Sequence, residues 1–174
     1  MSVTADLPRT APPWGGQADW HQANHQLAWL IGSREGMLGR AKRLALTIQS
    51  HCLELYPVMD WLCASTCHRC QDPCCLRARV WLDFIDLLLL HLTASPIPCS
   101  QLIPNTDQAC AYAGNNGCLL DRRSRPWICL WYVCPEQTAM LNRRPALSRR
   151  TARLKRRIKA NRQALENEFI RQII

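Results

Sequence analysis

The residues best equipped for chemistry are thiols. Cys67-His68-Arg69-Cys70-Gln71-Asp72-Pro73-Cys74-Cys75 reads C-x2-C-x3-C-C, with a Pro-containing turn between its halves. Cys110, Cys118, Cys129 and Cys134 follow, so that these eight lie within 68 residues. Thiols at this density form disulfides, hold a metal, or work as a redox-active pair. A chain of 174 residues can bury a core without staples, unlike a short secreted module. The stretch Met1 to Arg9 has no basic start followed by an apolar run, so no signal peptide is expected. The cysteine total of 11 is odd. These points favour a metal in a reducing, cytoplasmic setting over bridges between the thiols.

The C-x2-C spacing lets Cys67 and Cys70 bend back onto a single ion, as in zinc knuckles and iron–sulfur sites. Asp72-Pro73 then turns the chain so that Cys74 or Cys75 can return to the same centre. Neighbouring side chains diverge, so one of these two thiols is expected to serve a second ion, to bridge, or merely to pack. Eight thiols suit two four-coordinate sites or one site with reserve ligands. Four thiolates around zinc or a 2+ cubane leave about −2 of charge. Arg122, Arg123 and Arg125 lie between the candidate ligands and either offset that charge or form a solvated basic loop. Trp127 and Trp131 would shield the site from water.

The set as a whole resembles the bacterial CxxCxxCC cysteine-cluster family (YkgJ-like), described as zinc- or iron-chelating. The matching positions are Cys67, Cys70, Cys74, Cys75, Cys110, Cys118, Arg125, Pro126 and Cys129, within residues 63–135. The resemblance implies a metal centre with Arg125 and Pro126 beside it, and it favours an iron–sulfur cluster over zinc. Some members are cluster-dependent protein lysine methylases. Three features depart from the family pattern: the apolar helix between the two cysteine groups, Cys134-Pro135, and the basic C-terminal segment. Cys52, Cys63 and Cys99 match nothing and read as small apolar residues. Cys63 stays open as a ligand because it precedes Cys67 by four residues.

The elements that must position these thiols read as helices. Residues 1–17, with Pro8, Pro12, Pro13, Gly15 and Gly16, read as a flexible arm. Residues 18–142 read as a helical cysteine-cluster domain. A first helix starts at the candidate cap Asp19 and runs through Trp20, Ala23, Leu27 and Leu30 to Gly32-Ser33. A second, with Ser33 as candidate cap, puts Met37, Leu38, Ala41, Leu44, Ala45, Ile48, Cys52 and Leu55 on one face, with an end or kink at Pro57. His21 and His25 are four apart and read as an exposed helix face rather than ligands. Val80 to Leu92 is a core helix, too short and too acidic to span a membrane. Its Asp83 and Asp86 read as a solvated edge or as partners of Arg77 and Arg79. Residues from Ser95 to about 136 read as irregular, with a turn at Gly114-Asn115-Asn116-Gly117.

Residues 143–174 read as one basic amphipathic helix. Leu147, Leu154, Ile158, Leu165, Phe169 and Ile173 form its apolar stripe. This segment holds eleven basic and two acidic residues, whereas residues 1–142 hold eleven of each, so it accounts for the whole +9. The stripe is expected to dock on the core or on a protein partner; nucleic acid along the arginines and an anionic membrane surface are the alternatives. The expected class is therefore mainly α, with irregular cysteine-rich metal-binding loops and a long basic C-terminal helix. The expected function is a metal-binding protein, holding an iron–sulfur cluster or zinc, for redox, metal handling or cluster-dependent chemistry. The alternative is a nucleic-acid-binding protein with a structural zinc site. No Gly-rich cofactor loop and no acid–base pair identifies an enzyme.

Overall fold

Two long helices form the frame of the molecule. The computed structural model describes residues 12–105, 107–114 and 117–174. Helix α2 (Gly39–Thr66) and helix α7 (Pro145–Ile173) are 28 and 29 residues long and pack against each other. At 1.5 Å per residue each spans about 42 Å. Ala41, Ala45, Ile48, Cys52, Leu55, Met59 and Leu62 recur every three or four residues on α2, and all are buried. Opposite them α7 buries Leu154, Ile158, Leu165 and Phe169. The apolar stripe of the basic helix is therefore docked within the chain's own core.

Helix α2 runs through Pro57 without ending. Proline removes the amide that would have bonded the carbonyl of Leu53. Both Pro57 and Leu53 are exposed, so water can satisfy that carbonyl and the ring points away from the core. The turn 58–66 is thus helical and carries Cys63 toward Cys67 on one continuous rod.

Helix α1 (Gln17–Ser33) begins two residues before Asp19, with Gly16 at the cap. Asp19 lies in its first turn, where a carboxylate favours the positive end of the helix. Ser33 does not cap the next helix; its hydroxyl donates to the Leu30 carbonyl at 3.0 Å, and a short 3-10 turn, Glu35–Met37, precedes α2. His21 and His25 are exposed, and His21 contacts Gln17. Residues 1–11 of the expected arm lie outside the described residues, but its remainder is packed. Pro12 is buried, and the Pro13 carbonyl accepts from Gln101 Nε2 at 3.0 Å. Trp14 has φ 53° and packs on the core, and Gly15 then passes the Pro104 carbonyl. A Cβ at Gly15 would stand 2.2 Å from that oxygen, so only glycine fits.

The apolar stretch after the first cysteines is extended before it becomes helix α4 (Phe84–Leu92). Asp83 is its N-cap, and Asp83 and Asp86 form a reciprocal capping box. The buried Gln101 holds the extended part. Its Oε1 accepts from Leu82 N at 2.8 Å and Leu102 N at 3.0 Å, while its Nε2 donates to Leu82 O at 3.1 Å. The stretch expected to be irregular contains a hairpin, β1 (Ala113–Gly114) against β2 (Gly117–Cys118), then helices α5 (Trp127–Trp131) and α6 (Pro135–Asn142). Asn115 and Asn116 of the expected turn lie outside the described residues. No described helix is long and apolar enough to cross a membrane.

Candidate metal centre

Helix α2 delivers the first thiols. Cys63 lies in its last turn and Cys67 directly follows it, one turn later, opening a 3-10 turn, Cys67–Arg69. Cys70 is extended and exposed. Asp72, paired with Arg77, and Pro73 then turn the chain into α3 (Cys74–Arg77), a single helical turn closed by Ala78 N on the Cys74 carbonyl at 2.7 Å. Successive helical side chains diverge by about 100°. The turn therefore aims Cys74 and Cys75 in different directions, although the Cys74 thiol still reaches Cys75.

The thiols fall into two neighbourhoods joined through the Cys74–Cys75 contact. Cys67 lies near Cys63 and Cys74. Burial pushes its thiol up to about 11, and the Cys63 and Cys74 sulfurs add to this. Thr66 Oγ1 at 3.8 Å and Gln137 Nε2 at 3.9 Å approach the Cys67 sulfur. Cys63 faces the Arg122 guanidinium, which also holds Asp60 at 2.5 Å. Cys75 also lies near Cys129, Cys118 and Cys110. The thiol of Cys74 donates to Cys75 and holds it below the ordinary range, while burial and the three nearby sulfurs oppose that shift. Donation to Cys75 and burial push Cys74 far up.

The second group is assembled by three short elements. The hairpin presents Cys110 just before β1 and Cys118 in β2. Arg125 Nε and Nη2 donate to the Leu120 carbonyl at 3.0 and 2.9 Å, and Nη2 reaches the Cys118 carbonyl at 3.4 Å. Arg125 thereby pins the strand that carries Cys118. Pro126 is the N-cap of α5, and its carbonyl accepts from Cys129 N at 3.0 Å. Burial pushes the Cys129 thiol up to about 12, with Cys118, Cys110 and Asp86 adding to the effect. Cys110 is raised by burial and by Cys118.

The remaining candidates stand apart. The Cys134 sulfur accepts from Gln137 N at 3.5 Å and caps α6. Cys99 contacts the Tyr112 hydroxyl at 3.2 Å, and Cys52 is buried among apolar residues. Cys63, which only its one-turn spacing from Cys67 marked, stands in the first group. All 11 cysteines are unbridged. Among the described residues no three His, Cys, Asp or Glu side chains stand close enough together to cage an ion as they are.

Asp86 is not on the solvated edge the sequence suggested, although Asp83 is partly exposed, and neither pairs with Arg77 or Arg79 among the described residues. Asp86 is buried, and Arg162 Nη1 donates to it at 2.5 Å. Arg162 Nη2 reaches both Asp83 oxygens at 3.0 Å. Trp127 N, in the first turn of α5, also donates to Asp86 at 3.0 Å. One carboxylate therefore ties α4, α5 and α7 together directly behind Cys129. Of the other two loop arginines, Arg122 is partly buried between Asp60 and Cys63, while Arg123 is half exposed on Asp121.

No family model, no curated protein and no solved structure matches this chain. The resemblance to the cysteine-cluster family rests on its residues alone.

Proposed function

We propose that the chain is a metal-binding cysteine-cluster protein, its main ligand set being Cys75, Cys110, Cys118 and Cys129. The observation that carries this reading is that Cys75, from the first cysteine loop, lies near three thiols supplied by the second. An all-sulfur set without carboxylate or imidazole suits zinc or an iron–sulfur cluster. Such a group supplies either a structural anchor or electron transfer. Cys63, Cys67 and Cys74 form a second set, with Cys70 as its exposed reserve. Because the donors do not yet enclose a point, ion capture would be coupled to side-chain rearrangement and to proton release from the raised thiols.

The chain's own residues prepare this site in three ways. Arg125 fixes the Cys118 backbone, Pro126 starts the turn that presents Cys129, and Trp127 links that turn to Asp86. The resemblance favours iron–sulfur over zinc. The site supports redox, metal handling or cluster-dependent chemistry and singles out no substrate.

Anaerobic purification, elemental analysis and an absorption spectrum test the reading. Iron with acid-labile sulfide, or stoichiometric zinc, is expected in the parent protein. Cys75→Ser and Cys129→Ser should each lower the metal content, while Cys99→Ser should leave it unchanged. Unchanged content in both ligand variants would refute the assignment.

A further inference from the structure

The basic residues of α7 divide by what they touch. Arg162 is buried on Asp83 and Asp86, Arg150 pairs with Glu54 at 3.2 Å, and Lys155 donates to the Trp131 carbonyl at 2.7 Å. Arg144, just before the helix, lies over the Trp61 ring at 4.4 Å. Arg149, Arg153, Arg156, Arg157 and Lys159 are exposed, and no carboxylate pairs with them among the described residues. At 100° per residue, Arg149, Arg153 and Arg156 fall within about 60° of one another, with Arg157 and Lys159 on either flank. This arc lies opposite the buried stripe of Leu154, Ile158 and Leu165.

Like charges three and four residues apart on a helix repel, and Arg149/Arg153, Arg153/Arg156, Arg153/Arg157 and Arg156/Lys159 all do so. No acidic residue occurs between 143 and 165 to relieve them. Packing against α2 keeps the helix formed in spite of that repulsion. The result is an uninterrupted cationic rod about 15 Å long from Arg149 to Lys159.

We infer that this face binds the phosphate backbone of a nucleic-acid duplex. Four of the five residues are arginines, whose guanidinium forks match phosphate oxygens in a way a lysine ammonium does not. Exposed Ala152 and Ala160 lie among them, so a backbone can approach the helix closely. The axial steps from Arg149 to Arg153 and on to Arg156 are about 6 and 4.5 Å. Long, flexible arginine side chains bridge these steps to phosphates that rise about 3.4 Å per nucleotide along each strand of a duplex. A membrane-surface helix would need its own apolar face to insert, and α7 has buried that face on α2. The inference assigns these side chains to phosphates, contacts that position a protein on the duplex without reading its sequence.

The test uses the full chain and a fluorescein-labelled 24-base-pair DNA duplex of random sequence, followed by anisotropy between 50 and 200 mM KCl. Five phosphate contacts give a slope of log K on log salt near −4.5, at about 0.9 per contact. Replacing Arg149, Arg153 and Arg156 together by Gln should reduce that slope by about 2.7 and weaken binding at least tenfold at 50 mM salt. Arg34→Gln, remote in sequence and outside α7, should change neither. If the triple variant loses helicity, Arg153→Gln and Arg156→Gln singly carry the same test, each lowering the slope by about 0.9. The inference is overturned by absence of binding at 50 mM salt or by an unchanged slope in the variants. It is equally overturned if polyglutamate or phosphatidylserine vesicles bind as tightly as the duplex.

Discussion

Arg162 differs from the other basic residues of its helix in having left the solvent altogether. Its guanidinium meets the buried Asp86 and the partly exposed Asp83, and Asp86 also accepts from Trp127 N. Burial raises the Asp86 carboxyl and the Arg162 charge opposes that shift. Removing one partner of a buried pair strands the other, so Arg162→Met should cost about 3–5 kcal/mol in urea unfolding at pH 7. Arg150→Ala, which breaks an exposed pair with Glu54, should cost less than about 1 kcal/mol. Equal costs for the two would contradict the role given to the Asp86 junction. This junction was not legible in the sequence. Arg162 is one of ten basic residues between 143 and 162, and its partners lie 76 and 79 residues away. Local spacing instead pointed the aspartates toward Arg77 and Arg79.

Cys52 shows the same logic for a thiol outside the candidate centre. Burial pushes it up to about 12, from an ordinary 9.0. The fold therefore keeps its proton where the unfolded chain has released it. Its contribution to stability is full below pH 9 and is lost as pH rises through about 12. Cys52→Ala should cost about 1–2 kcal/mol at pH 7, because it leaves a small void. The gap between parent and variant should narrow between pH 9 and 11 in denaturant titrations. A constant gap would mean that the thiol is open to water.

Periodicity carried the elements where burial is one-sided. The stripe of α7 and the face of α2 from Ala41 to Leu55 were both readable, because each helix buries one face and exposes the other. Leu165→Ala should cost about 2–5 kcal/mol, whereas Arg153→Ala should fall within about 0.5 kcal/mol of the parent. Thermal or urea unfolding of the two variants measures both; similar losses would mean that α7 does not dock on α2. Reading failed where a local rule was overridden. Pro57 marks a helix boundary by composition, yet α2 continues because proline and the freed carbonyl both face water. The short helices α5 and α6 lie between prolines in a stretch without apolar period, so only packing against Asp86 and Thr66 reveals them. Gly15 looked like part of a loose arm, but it is a close-approach glycine against Pro104. Gly15→Ala should destabilise by about 1–3 kcal/mol, as overpacking does, and a neutral result would mean that the 12–17 segment is not seated.

At the scale of the molecule, the chain divides its chemistry between two surfaces. Thiols gather where the end of α2, α3, the hairpin and α5 meet, and positive charge gathers on the outer face of α7. The clustering of cysteines and the location of the +9 were both visible in the sequence. Which thiols lie near one another was not, because that depends on α3 being helical and on the hairpin and α5 bringing Cys110, Cys118 and Cys129 beside it. The proposed grouping of Cys75 with Cys110, Cys118 and Cys129 depends on that turn. X-ray absorption at the metal edge of the anaerobically purified protein probes the grouping most directly. The account predicts a first shell of sulfur alone, at about 2.3 Å for zinc. A shell dominated by nitrogen or oxygen, or the lack of a stoichiometric metal to measure, would contradict it.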